Sequence, residues 1–69
     1  MTHHDRITID PMICHGEPVI RGTRVPVRIV IGSLAGGMRL EEIQHEYGIH
    51  AEDIRAAEAF GANWHTSNA

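Results

Sequence analysis

Sixty-nine residues suffice for one domain and not for two, and a core this small is marginal without a dimer or a partner. A single cysteine, Cys14, excludes an internal disulfide. No apolar run approaches the roughly 20 residues of a membrane span, and Met1-Thr2-His3-His4-Asp5-Arg6 holds no apolar signal region, so a soluble cytoplasmic protein is expected. The net charge of −3, with no lysine, argues against strong nonspecific nucleic-acid binding, which comes mainly from cations neutralising phosphates.

Arg6-Ile7-Thr8-Ile9-Asp10 alternates and is rich in β-branched residues, so it reads as a short strand stopped by Pro11. Met12 to Glu17 reads as a loop. Next come two β-prone runs, Pro18-Val19-Ile20 and Thr23-Arg24-Val25, on either side of Arg21-Gly22. An X-Gly pair between such runs signals a tight hairpin, because glycine takes the positive φ that the turn needs. Pro26 ends the second arm, since it has no N–H for a ladder.

From Val27 the period changes. Val27, Val30, Ile31, Leu34 and Ala35 fall on one face of a helix that Gly36-Gly37 terminates, with Ile29 off the stripe as a second apolar contact. Gly32, inside this helix, costs about 1 kcal/mol relative to alanine. A tolerant site explains it better than a close approach by another backbone. A second helix is predicted over Leu40–Tyr47, with Leu40, Ile43 and Tyr47 inward and Gly48 as breaker. A third runs from Ala51 to about Ala62, with Ile54, Ala57 and Phe60 or Gly61 inward and Trp64 closing its end. Glu41-Glu42 and Glu52-Asp53 suit the positive ends of these helices. Arg39 and His50, however, stand where a short side-chain oxygen is usual, which predicts weak helix starts.

The fold class read from this pattern is α+β, mostly α. A short N-terminal strand and β-hairpin over 7–26 precede a three-helix core over 27–62, and 63–69 forms a frayed tail, all in one domain spanning 1–69. Helix, glycine turn and helix over 40–62 have the spacing of a helix-turn-helix. There is no internal repeat and no low-complexity segment.

The segment Gly16-Glu17-Pro18-Val19-Ile20-Arg21-Gly22-Thr23-Arg24-Val25-Pro26-Val27 resembles the signature of a family of small bacterial proteins, domain-of-unknown-function family 433. Asp10-Pro11, Ala35-Gly36-Gly37-Met38, Glu41-Glu42-Ile43 and Glu52-Asp53-Ile54 extend the resemblance over about residues 6 to 62. In the family pattern, Ser or Thr tends to stand where this chain has Arg39 and His50. The resemblance implies a homeodomain-like helical core and a role like that of VapB antitoxins, with a nuclease-type (PIN-like) toxin as partner.

Charge divides along the chain. Arg21, Arg24, Arg28 and Arg39 lie between Pro18 and Arg39 with no acid among them, whereas Arg55 alone faces the acids from Leu40 onward. Such asymmetry suggests an oriented docking surface. A DNA-reading third helix would present donors to bases and phosphates, yet Glu52, Asp53 and Glu58 dominate it. The better candidates for a partner or DNA are Arg21, Arg24, Arg28, Arg39 and Arg55, with the hairpin arginines foremost. Their plain structural alternative is pairing with Glu17 or Asp10. Val19, Ile20, Gly22, Val25 and Ile29 are candidates for a hairpin-based homodimer contact, against the alternative that they simply cover the helices.

No catalytic residue, metal or cofactor is expected. Cys14 and His15 are neighbours, and neighbours rarely share one ion or form a nucleophile–base pair. His45 and His50 lack ligand spacing, and His3-His4 lies at the chain end. Glu41, Glu42, Glu46, Glu52 and Asp53 read as a solvated acidic face. The function read from sequence and resemblance together is a non-enzymatic antitoxin of a type II toxin–antitoxin system. It would act as a homodimer that neutralises its toxin and represses its own operon through operator DNA. The alternative is a stand-alone helix-turn-helix transcriptional regulator.

Overall fold

A computed structural model describes the backbone of residues 5–68 and side chains through Ala62. The class is α+β and mostly α, as expected. Ile7–Thr8 (β1) pairs antiparallel with Val19–Ile20 (β2), Ile7 opposite Ile20 and Thr8 opposite Val19. Three helices follow: Val27–Ala35 (α1), Leu40–Tyr47 (α2) and Ala51–Asn68 (α3).

The ladder differs from the expected hairpin. The arm over 23–25 returns beside β2 but forms no strand. Ile20 N–H donates to Val25 C=O and Val27 N–H to Pro18 C=O, each at 2.9 Å, on either side of a single Val19–Pro26 bridge. A bridge closed by its flanking groups makes no demand on the N–H that proline lacks. The arm stops there because α1 begins at Val27. β2 instead takes its ladder from the N-terminal strand, which places Ile7 and Ile20 fully inside the core.

The first two helices occupy their predicted spans because periodicity and glycine agree. At the end of α1, Met38 N–H donates to Ser33 C=O and Gly37 N–H to Leu34 C=O, both at 3.0 Å, with Gly37 at φ +97°. This is the paired C-terminal closure in which a left-handed glycine satisfies the last carbonyls. Gly48, at φ 66° and ψ 36°, closes α2 with its N–H on Gln44 C=O.

The helix starts are better held than the cap residues suggest. Arg39 N–H donates to Glu42 Oε1 at 2.7 Å, and His50 N–H donates to Asp53 Oδ2 at 2.9 Å. In each case the acid three residues into the helix reaches back to the cap backbone, which is one half of a capping box. Asp53 therefore does not belong to a solvated acidic face. It is buried, and its other oxygen accepts from Arg6 Nη1 at 2.9 Å. A buried carboxylate is tolerable when paired and hydrogen-bonded in this way.

α3 continues through residues 63–68, which sequence assigned to a frayed tail. No proline follows, and Gly61 does not break the helix because its missing side chain serves packing. A Cβ on Gly61 would collide with Ile31 Cδ1 of α1. The close helix approach is thus at Gly61, whereas Gly32 faces open space. The side chain of Trp64, His3, His4 and the last residue, 69, lie outside the described set. The core joins Ile7, Ile20, Val30, Ile43 and Ile54, with Tyr47 and Phe60 packed at its margin.

Two stability changes follow from this packing. Asp53→Ala removes the acceptor of the His50 N–H and the carboxylate that meets Arg6, and should cost about 2 kcal/mol; an unchanged urea midpoint would refute the double anchoring. Gly32→Ala should raise stability by up to about 1 kcal/mol, since nothing lies near its new methyl. A lower thermal midpoint for that variant would show that the site is not open.

Candidate functional site

Ile20-Arg21-Gly22-Thr23 forms a turn locked by its own chain, with Arg24 just beyond it. Gly22 sits at φ +80°, and Thr23 N–H donates to Ile20 C=O at 3.0 Å. That geometry requires glycine at the third turn position. Thr23 adds a second lock, donating Oγ1–H to Ile20 C=O at 2.7 Å and accepting from Val25 N–H at 3.0 Å. Sequence reasoning passed over Thr23. Its signal was a hydroxyl just after a turn glycine, where such side chains bond neighbouring backbone.

On this rigid frame the side chains of Arg21 and Arg24 are exposed, with no side-chain partner among the described residues. Arg21 contributes to the sheet through its backbone, its N–H on Arg6 C=O at 2.8 Å. Arg28 is different: its Nε donates to Glu17 Oε1 at 2.7 Å. That hydrogen bond, reinforced by the carboxylate charge, holds the Arg28 guanidinium protonated even above its usual pKa. Arg28 thus follows the pairing alternative. Arg39 precedes α2 and Arg55 lies on α3, both exposed, so the five arginines are distributed over separate elements.

Of the proposed dimer residues, Val19 and Ile20 are fully buried within the single chain, and their apolar area serves the core. They offer nothing to a second copy. Val25 and Ile29 are half-buried, and Gly22 is exposed at the turn. Met12 is the large hydrophobic residue most open to solvent among the described residues, at 86% exposure. Its loop is held by Asp10 Oδ1, which accepts the Met12 N–H at 2.9 Å.

Cys14, His15 and Gly16 follow with φ of 50°, 58° and 84°. Three successive left-handed residues, two with side chains, are unusual, because that conformation is normally visited singly. The Cys14 thiol donates to Arg24 C=O at 3.6 Å, linking this loop to the arm after the arginine turn. No group of three or more His, Cys, Asp or Glu suited to a metal ion occurs among the described residues. Among the described residues of α3, through Ala62, the exposed positions are Glu52, Arg55, Glu58, Ala59 and Ala62, so this part of its solvent face is acidic. No described helix is long and apolar enough to cross a membrane.

A family model described as "Protein of unknown function (DUF433)" matches residues 7–60. An uncharacterized protein of Sinorhizobium fredii, y4eO, is 42% identical over 55 residues, covering 78% of this chain and 25% of that protein. The crystal structure of a DUF433 member protein from Anabaena variabilis superposes with a TM-score of 0.80 at 33% identity, over 87% of this chain and 60% of that one. The crystal structure of Rv2018 from Mycobacterium tuberculosis gives 0.68 at 31% identity, over 74% of this chain and 24% of that one. The chain therefore spans only a quarter of the curated relative it matches.

The turn's locks are testable. Thr23→Val keeps the shape and removes the hydroxyl, so stability should fall by about 1 kcal/mol and amide exchange at Val25 should accelerate. Unchanged exchange at Val25 would dismiss Thr23 as a lock. Arg28→Ala, by contrast, should leave the unfolding midpoint where it is, because exposed ion pairs contribute little.

Proposed function

The chain belongs to the DUF433 family, a family of unknown function, and we propose that it acts as an antitoxin-like binding protein rather than an enzyme. In this reading it is a homodimeric component of a type II toxin–antitoxin system that neutralises a nuclease-type, PIN-like toxin and represses its own operon. The observation that carries the reading is the pair Arg21 and Arg24, exposed on a turn fixed by Gly22 and Thr23 and without side-chain partners among the described residues. The backbone that carries them is fixed before binding, so only the side chains are ordered by a partner, and guanidinium groups pair bidentately with carboxylates. The active site of a metal-dependent nuclease, lined by carboxylates, is a surface of that kind.

A second reading, a stand-alone DNA-binding regulator, draws on the α2–Gly48–α3 arrangement. The exposed Glu52 and Glu58 oppose it, since carboxylates facing phosphates repel.

Expression with the native flanking genes and a C-terminal tag should recover a stoichiometric nuclease-type protein. Arg21→Ala with Arg24→Ala should abolish both its recovery and its neutralisation, with the fold intact by circular dichroism. Recovery of the chain alone would sink the antitoxin reading. A salt-dependent mobility shift with the upstream DNA would then favour the regulator.

A further inference from the structure

A cleft of about 1040 Å³ is walled by α1, by α3 and by the loop over 15–18, apart from the arginine turn. We infer that it is a docking site for an amphipathic helix of a partner protein, one that carries arginine or lysine beside its apolar face. Ile31, Leu34 and Phe60, all half-buried, leave apolar surface in its walls. Gly32 on α1 is exposed with open space where a side chain would stand, so none fills the cleft there. Nine residues of α1 at 1.5 Å per residue give a wall of about 13 Å. A guest helix of two to three turns matches that length, laying its apolar stripe in the groove in the usual helix-in-groove manner.

Charge selects the guest. Arg28 at the rim is neutralised by Glu17. Glu58, on the α3 side, is exposed and has no side-chain partner among the described residues. The rim therefore carries an uncompensated negative charge, complementary to a cation flanking the guest's apolar face. A second copy of this chain fits poorly. The exposed face of α2 bears Glu41, Glu42 and Glu46, of the same sign as Glu58, and among the described residues the outlying large apolar side chain, Met12, stands on a loop.

The test uses fluorescein-labelled synthetic helical peptides of about three turns built from leucine, alanine and arginine, a version with glutamate replacing arginine, and a scrambled arginine version. Fluorescence anisotropy with the full chain should give saturable binding of the arginine peptide alone. Gly32→Leu, which fills the cleft with a good helix former, should weaken it at least about tenfold, a loss of about 1.4 kcal/mol. Glu58→Arg, at an exposed position, should shift preference to the glutamate peptide, so the charge argument is tested even if the first variant misfolds. Amide shifts on binding should centre on Ile31 and Phe60. The inference is overturned by no binding to the wild-type chain, by equal binding of arginine and glutamate peptides, or by a folded Gly32→Leu chain that binds as well as wild type. Self-association in sedimentation that Gly32→Leu abolishes also overturns it, by assigning the cleft to a second copy. No toxin enters these measurements, so their outcome is separate from that of the antitoxin reading.

Discussion

The carboxylate of Asp53 accepts from His50 N–H through one oxygen and from the Arg6 guanidinium through the other, each at 2.9 Å. The first contact begins α3. The second fastens the N-terminal segment, 47 residues away in sequence, onto that same first helical turn. Ile7, the next residue after Arg6, is thereby held against β2 and into the core. Without that strand, β2 would keep only the single Val19–Pro26 bridge, and the apolar faces of Val19 and Ile20 would lose their cover. The arginine turn depends on this in sequence: Arg21 N–H is bound to Arg6 C=O, so the frame presenting Arg21 and Arg24 is anchored through the same residue that meets Asp53.

The family signature serves the fold and the surface at once. Pro18 offers a carbonyl to Val27, Gly22 makes the turn, Thr23 locks it, and Pro26 ends the arm where α1 must begin. The arginines between them supply exposed charge and have few internal duties. A single short stretch thus builds its own support and carries the groups available for recognition, which is how a chain of this size presents a rigid epitope.

Much of the helical layout was legible because two independent signals coincided. The apolar period of Val27, Val30, Ile31 and Leu34 and the glycines at 36, 37 and 48 point to the same boundaries. The pairing of β1 with β2 was not legible, since it joins residues distant in sequence and short strands carry no register of their own. The role of Asp53 was missed for a related reason: its charge fits a solvated face, and only the tertiary approach of Arg6 makes it an interior group. The spacings Arg39-x-x-Glu42 and His50-x-x-Asp53 did hold a clue, because an acid at the third helical position can bond the cap N–H whatever the cap side chain is. Sequence ends α3 early because the polar run from Asn63 reads as a fraying tail, whereas Gly61, read as an inward position, makes room for Ile31 in the fold. Of the site, the exposed arginines were foreseeable from composition. The burial of Val19 and Ile20 was not, since their β-propensity fits a core as well as an interface.

The distance in sequence between Arg6 and Asp53 also bears on how the protein is made. During synthesis the N-terminal strand emerges first, but its anchoring carboxylate lies at the start of the last helix. Until that turn has left the ribosome, Ile7 and Ile20 lack the layer that buries them, and the nascent chain exposes them to proteases and to other chains. Completion of this fold therefore waits on the first turn of α3, whatever the order in which the earlier elements form.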